Sequence, residues 1–380
     1  MKVTIPRNHL LSHLQRAQNI VERKTTLPIL SHILMEAEPS FLRLSSTDLE
    51  VGVTDICEAT VAKPGSTTVH ARKFFEIIRE LPESEIQLTQ KEETLEIRSG
   101  KSLFRLRSLS PNEFPQIPQI QAEESVRIPC ALLREMITKV SISVSTDEAR
   151  YTLTGVLTQM YEKEGKTVLK MVTTDGHRLS FCERSLPETR ILSYFESVST
   201  KGEKRDVILP KKAVQEMGRL LEEGQDQELE FGIFQENAFV RKANFSMIMR
   251  LVQGKFPDHQ AVIPAQIEKS LRVESSSLEE ALRRVSLLST EKTRGIKFSV
   301  EKGKITVSSN SPEIGEAQEE IDVSFEGEPF EVSFNVRYIL DLVQVIRGEI
   351  SLEFGTGLRP CLIRQESDPE FLYVVMPLRN

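Results

Sequence analysis

Residues 171–181 read Met171-Val172-Thr173-Thr174-Asp175-Gly176-His177-Arg178-Leu179-Ser180-Phe181. Apolar and β-branched runs flank a Thr-Asp-Gly-His turn. This is the pattern of strand, tight turn and strand, with Gly176 supplying the positive φ that such a turn often needs. The same frame stands near the start as Leu42-Arg43-Leu44-Ser45-Ser46-Thr47-Asp48-Leu49-Glu50-Val51. It returns near the end as Ile305-Thr306-Val307-Ser308-Ser309-Asn310-Ser311-Pro312-Glu313. Three copies at intervals of about a third of the chain make a repeat protein the first expectation.

Outside these hairpins, six segments show helical spacing of apolar residues immediately after a short strand: 8–24, 72–81, 131–140, 210–221, 278–287 and 335–347. The serines at 275–277 read as the N-cap of the fifth. Each helix is followed by short alternating strands, such as Glu85-Ile86-Gln87-Leu88-Thr89 with Thr94-Leu95-Glu96-Ile97. The unit is therefore strand, helix and strand meander, used six times. Two units make a domain, giving an α+β chain of three tandem domains at 1–124, 125–267 and 268–380. An exposed loop is expected at 196–205, between the two units of the middle domain.

A length of 380 residues agrees with two or three domains of ordinary size. The N-terminus lacks the apolar run of a signal peptide, and no stretch approaches the ~20 apolar residues that span a bilayer. Cys57, Cys130, Cys182 and Cys361 are far apart and read as buried or partly buried free thiols of a reduced compartment. These features point to a soluble cytoplasmic protein without a membrane partner.

The net charge of −7 argues against nucleic acid only if the charge is evenly spread. It is not. The six helical segments carry fifteen Lys and Arg against eight Asp and Glu, so the helices are basic and the strands and loops acidic. Six equivalent helices on one surface would attract phosphate there. Solvated helix faces explain the same count equally well.

Reaction chemistry is sparse. The chain has no GxxxxGK[ST], GxGxxG, HExxH or GxSxG motif. His9 and His13 stand four apart, but nothing nearby in the sequence completes a metal site, and a solvated pair is the plainer reading. Asp175 and His177 invite a hydrolase dyad, yet no nucleophile is placed beside them and Asp-Gly-His is good turn chemistry in its own right. No catalytic residue, metal or cofactor is assigned.

Thr174-Asp175-Gly176-His177-Arg178-Leu179, Gly254-Lys255-Phe256-Pro257-Asp258, Phe334-Asn335-Val336-Arg337-Tyr338 and Tyr373-Val374-Val375-Met376-Pro377 together carry a resemblance. So do Thr26-Leu27-Pro28-Ile29-Leu30 and Ala71-Arg72-Lys73-Phe74-Phe75. The chain resembles, end to end, the bacterial DNA polymerase III β subunits, the β sliding clamps. The resemblance implies a head-to-tail homodimer: a six-domain ring with helices inside and sheets outside, threading double-stranded DNA without reading its sequence. An adaptor of the same fold that binds peptides and never encircles DNA is the alternative.

The resemblance also implies sites. A groove for short linear peptides, carried by the DNA polymerase III α subunit, the clamp loader, other polymerases and repair proteins, maps to Leu153, Thr174, Gly176, His177, Arg178, Leu179, Pro257, Val262, Asn335, Tyr338, Leu358 and Val374, Val375, Met376, Pro377, Leu378 and Arg379. DNA contacts map to Lys24, Arg72, Tyr151 and Thr152, with Asp147 in the same loop. At the dimer interface Phe104 would meet Leu287 and Leu288 of the partner, and Lys101, Arg105 and Arg107 would face Glu313, Glu316 and Glu319. Ala261 and Asn380 depart from the pattern at the groove rim, and Leu103 at the interface.

Overall fold

The computed structural model describes the whole chain except residues 23–25, 83, 121–123, 189, 197–205, 223–226, 290–293, 356–358 and 379–380. The loop expected at 196–205 lies almost wholly outside the described residues. Among the latter, seven α-helices occur: α1 (Arg7–Ile20), α2 (Ala71–Glu80), α3 (Cys130–Ser141), α4 (Ser193–Glu196), α5 (Lys211–Leu220), α6 (Ser275–Val285) and α7 (Val336–Val345). Each of the six longer ones follows directly on a strand, in the order read from periodicity. Their apolar stripes are the buried ones: Leu10, Leu14, Ala17 and Ile20 on α1, and Leu278, Ala281, Leu282 and Val285 on α6. The serine N-cap expected for α6 does not form. Glu274 occupies that position without a side-chain cap, and Ser275 is already helical and buried.

The described chain forms two compact units, 1–131 with 192–194 and 212–251, and 132–191 with 195–211 and 252–380. The first holds a five-stranded sheet in the order Thr60–Lys63, Lys2–Pro6, Glu85–Lys91, Thr94–Ser99, Ser102–Arg107. Its eight-stranded sheet runs Val126–Pro129, Glu228–Phe234, Asn237–Lys242, Phe245–Arg250, Val51–Glu58, Phe41–Thr47, His32–Glu38, Gly65–His70. The second unit holds an eight-stranded sheet in the order Val207–Pro210, Gly155–Lys163, Lys166–Thr174, Arg178–Ser185, Asp368–Val375, Cys361–Gln365, Glu349–Phe354, Lys269–Glu274. Its four-stranded sheet runs Gly315–Asp322, Lys304–Ser311, Gly295–Glu301, Phe330–Asn335. Compactness thus follows continuous sheets and not the sequence repeat. Strand Val51–Glu58 of the first repeat pairs with Phe245–Arg250 of the second, and Arg178–Ser185 of the second pairs with Asp368–Val375 of the third.

The threefold repeat is visible at single atoms. Ser46, Thr173 and Ser309 are buried hydroxyls on equivalent strands. Each donates to a carbonyl in the last turn of its repeat's first helix: Ser46 to Ala17 at 2.7 Å, Thr173 to Val140, and Ser309 to Val285 at 2.7 Å. A carbonyl there has no partner within its helix, so the hydroxyl both satisfies it and fixes the helix to its sheet. Across the hairpin these three residues face Val53, Ser180 and Ala317. The four cysteines are free and buried, and burial raises the thiols of Cys57 and Cys182 to about 12.

Candidate functional site

In the second unit, Leu153, Leu157, Val172, Leu179, Ile208, Phe256, Leu362 and Val374 close into one apolar cluster. Phe181, Val252, Ile263 and Leu372 pack half-buried against it. Strand pairing fixes its centre, with Leu179 opposite Val374 and Arg178 opposite Val375. Leu153, Leu179 and Val374, assigned to the groove from the sequence, fall in this cluster; Ile208, Phe256 and Leu362 were not assigned. Phe256 stood inside the quoted Gly-Lys-Phe-Pro-Asp stretch, and the alternation around Cys361-Leu362-Ile363 was the available signal for Leu362.

Beside this cluster sits the turn that opened the sequence. Gly176 has φ +87°, as its place in the turn requires. Asp175 Oδ1 accepts from the backbone N–H of His177 at 2.9 Å and of Arg178 at 3.0 Å, while Thr174 Oγ1 accepts from Gly176 N–H at 3.1 Å and donates to the Arg178 carbonyl at 2.7 Å. The other carboxylate oxygen, Oδ2, takes Arg178 Nε at 3.0 Å. Asp175 is thus committed to building the turn and holding Arg178. Its supposed dyad partner, the exposed His177, instead stacks on Tyr338 with centroids 6.3 Å apart and planes at 16°.

Arg178 organises the polar wall. Its guanidinium lies 4.5 Å from the Tyr338 ring centroid and its Nη1 donates to Asp341 at 2.6 Å. Burial, then the nearby Asp175 charge, push the Tyr338 phenol upward, so it stays a neutral donor. The wholly buried Tyr373 donates to the Tyr338 carbonyl at 2.8 Å. Asn335 caps α7 by accepting from Arg337 N–H at 3.0 Å. Beyond the last strand, Met376 N–H bonds the His177 carbonyl at 2.8 Å and Leu378 N–H bonds Ser333 at 2.7 Å, with Pro377 half-buried between them. Pro257 and Val262 are exposed on the linker 257–262, with Val262 at 42%. Leu358 and Arg379 lie outside the described residues, as does Asn380.

His259, in that linker, is buried with its Nε2 lacking a hydrogen-bond partner. Burial, and then the charge of Lys170, lower it to about 4.

Of the residues assigned to DNA, Lys24 lies outside the described residues. Arg72 is exposed but shared with Glu76, which takes Arg72 Nε at 3.0 Å and Lys73 Nζ at 2.9 Å. Tyr151 is 56% exposed on the 3-10 segment Glu148–Thr154, where Asp147 caps Ala149 N–H and bonds Arg150. Thr152 is half-buried; a Cβ on Gly254 would stand 2.8 Å from its methyl group, so that close approach requires the glycine. The basic excess is uneven. Helix α1 carries Arg7 and Arg16 with no acid, whereas on α6 Arg283 and Arg284 are matched by Glu279 and Glu280, and on α7 Arg337 by Asp341.

The residues assigned to the subunit interface fall on edge strands or in the turns and 3-10 segment beside them. In the first unit, Phe104 (40% exposed), Arg105 and Arg107 lie on edge strand Ser102–Arg107, with Lys101 in the turn before it. In the second, Glu316 and Glu319 lie on edge strand Gly315–Asp322 and Glu313 in its turn; Leu287 is 79% exposed and Leu288 half-buried on 286–288. Two expected partner charges are already engaged. Arg105 Nε is 3.3 Å from Glu96, and Glu319 takes both Arg284 Nε at 2.9 Å and Nη2 at 2.6 Å. His13 is also corrected. It is not a solvated partner of His9 but lies 2.8 Å from Asp55, which is buried and held also by Arg16 at 2.7 Å.

Three tandem strand-helix-strand domains, with an apolar cluster packed beside the Thr-Asp-Gly-His turn, define a clamp-type protein. Models of the DNA polymerase III beta subunit match in succession: the N-terminal domain at residues 1–118, the central domain at 127–258 and the C-terminal domain at 260–379. Beta sliding clamps of Caulobacter vibrioides and Escherichia coli K12 are 34% and 35% identical over the full length of both chains. Solved sliding clamps of Caulobacter crescentus and Bartonella birtlesii superpose over all of both chains with TM-scores of 0.90 and 0.92, at 34% and 31% identity. The chain belongs to the DNA polymerase III beta-subunit family, the beta sliding clamps. Its role is that of a processivity factor in DNA replication.

Proposed function

We propose that the chain acts in the cytoplasm as a head-to-tail homodimer that encircles duplex DNA and holds peptide-bearing replication and repair proteins in the groove around Leu179 and Val374, without catalysing a reaction itself. The division into domains at 1–124, 125–267 and 268–380 belongs to the same reading. The observation that carries it is the repeated strand pairing. In both internal seams the residue facing the helix-pinning hydroxyl pairs with one fixed position of the next strand: Val53 with Met247, and Ser180 with Tyr373. Met247 and Tyr373 in turn face Val240 and Ile363, and Phe104 faces Ile97 in the same manner. Applied to the two free edges, this rule sets Ala317 of one subunit opposite Phe104 of its partner.

That register has consistent chemistry. Met247 and Tyr373 are wholly buried, whereas Phe104 is 40% exposed and gains burial on pairing. It sets Arg105 opposite Glu316 and Lys101 opposite Glu320, and Leu287 adds its exposed side chain to the same contact. Heterologous edges that complement each other close into a ring when the rotation permits. DNA is then held by topology, and the basic helices of the first two repeats add a weak, salt-dependent attraction to phosphate. In the groove, an extended peptide sets an apolar side chain on the cluster, with Arg178, His177 and Tyr338 as rim.

Imaging the purified protein by negative stain tests this directly. A closed six-lobed ring with a duplex-sized hole supports it; open monomers persisting at micromolar concentration favour a peptide-binding adaptor that does not encircle DNA.

A further inference from the structure

The repeat builds a second cleft, within the first unit, that the groove reading does not use. Its floor is the turn Thr47-Asp48-Leu49-Glu50-Val51. Asp48 Oδ1 accepts from the backbone N–H of Glu50 at 3.0 Å and Val51 at 2.7 Å, and Thr47 Oγ1 accepts from Leu49 N–H at 3.0 Å. These are the bonds that Asp175 and Thr174 make in the groove turn. Ile248 stands where Val374 stands in the groove. The linker Phe114-Pro115-Gln116-Ile117-Pro118 runs alongside, four residues shorter than its counterpart Phe256–Pro264. A cavity of about 420 Å³ opens over this turn, between the linker, Ile248 and residues 235–237. That volume lies within the range of small-ligand sites.

Two features distinguish this cleft from a leftover of the repeat. Leu49 holds φ +78° at the place of Gly176, a conformation that a branched side chain adopts only at a cost, and its side chain is 56% exposed at the cavity rim. Gly52 gives up its side chain where the groove has Leu179. A Cβ there would lie 3.0 Å from the Ile117 side chain and 3.2 Å from Ile248. Leu49, Ile117 and Ile248 thus form an aliphatic patch in a lining that also includes Gln116, Gln235 and Asn237. The rim differs in charge from the groove: Glu50 replaces His177, and Glu236 adds a second carboxylate, against one lining cation, Arg250, which stands 3.8 Å from Glu236 with both side chains well exposed.

We infer that this cleft is a second peptide site, accepting an extended segment with an aliphatic side chain flanked by basic residues. The aliphatic side chain would cover Leu49, Ile117 and Ile248, and its basic neighbours would face Glu50 and Glu236. The inference stands on the turn and rim of the first unit and is separable from the groove.

The test titrates the full-length protein, methyl-labelled at Leu and Ile, with acetyl-Arg-Leu-Ile-Arg-amide and with acetyl-Glu-Leu-Ile-Glu-amide. Expected are saturable shifts at Leu49, Ile117 and Ile248 for the basic peptide, at least tenfold tighter than for the acidic one. The double variant E50K/E236K reverses that preference. Leu49→Gly, which relieves the backbone and removes the exposed side chain, weakens binding about fivefold while the protein stays folded. Shifts confined to Leu179 and Leu362, or a preference unmoved in E50K/E236K, overturn the second site and leave the groove intact. Shifts at Leu49 with none at Leu179 and Leu362 support it independently of the groove.

Discussion

Ser309 donates its hydroxyl to the carbonyl of Val285 across 2.7 Å, with both residues buried, and so ties the end of α6 to its sheet. Ser46 and Thr173 do the same for α1 and α3. Removing the donor at Ala17 or Val285 strands a buried acceptor, which costs about 1–3 kcal/mol. The Val140 carbonyl keeps the Ser143 N–H at 3.2 Å and loses only the net value of one hydrogen bond, about 1 kcal/mol. Ser46→Ala, Thr173→Val and Ser309→Ala are each expected to lower stability by about 1–2 kcal/mol, read from urea unfolding midpoints at unchanged m-value. A change below a few tenths of a kcal/mol at all three would remove this account of how the repeats are held.

Arg178 joins Asp175, Asp341 and the Tyr338 ring. Arg178→Ala leaves two carboxylates without their shared cation and frees the tyrosine ring. Stability should drop by about 1–3 kcal/mol, and affinity for a groove-binding peptide at least tenfold. Fluorescence polarisation with a labelled Leu- and Phe-bearing peptide reads the second quantity. Lysine at this position restores charge but not the bidentate geometry and should recover only part of it.

The buried His259 gives the linker a pH dependence. Its pKa is about 4 in the fold and ~6.5 when unfolded. Between those values the unfolded chain binds more protons, so stability is full above pH ~6.5 and falls as pH drops toward 4. His259→Gln should flatten the decline between pH 6.5 and 4.5 by on the order of 1–2 kcal/mol. Equal slopes for both proteins would exclude His259 as the source.

Glu76 bonds both Arg72 and Lys73, which hold its carboxyl below the usual carboxylate range. It tempers the positive charge that α2 presents. Glu76→Gln should release both cations and strengthen nonspecific duplex binding several-fold at 50 mM salt, with a steeper salt dependence. Arg283→Gln on α6, where acids already balance the bases, should change it little. No strengthening in Glu76→Gln, or a clear loss in Arg283→Gln, would contradict an attraction centred on the first two repeats.

The threefold organisation was legible in the sequence because Thr47-Asp48 and Thr174-Asp175 spend their side chains on the same turn bonds, and such turns recur wherever a hairpin does. The helices were legible from apolar spacing, although their ends were not. Ser275 resembles a cap, yet its hydroxyl is buried and the chain enters α6 one residue earlier. Distant pairings left no sequence signal. The Asp55 carboxylate reaches His13 and Arg16 only because strand and helix pack face to face, and Asp341 reaches Arg178 across 163 positions. The contacts that Arg105 and Glu319 make within their own units were hidden for the same reason, since Glu96 and Arg284 lie on neighbouring elements.

The most direct measurement engineers the proposed register between subunits. Leu103→Cys and Gln318→Cys fall opposite each other when Ala317 faces Phe104, at a Cα separation of ~4.5–5.5 Å that a disulfide tolerates. The four native thiols are buried, which limits competing oxidation. Oxidised protein loaded on nicked circular plasmid should stay bound through denaturing detergent and be released when the plasmid is cut. Crosslinking only at a shifted pair, such as Leu103 with Glu316, or release from intact circles despite complete crosslinking, would contradict a closed ring held on DNA by topology.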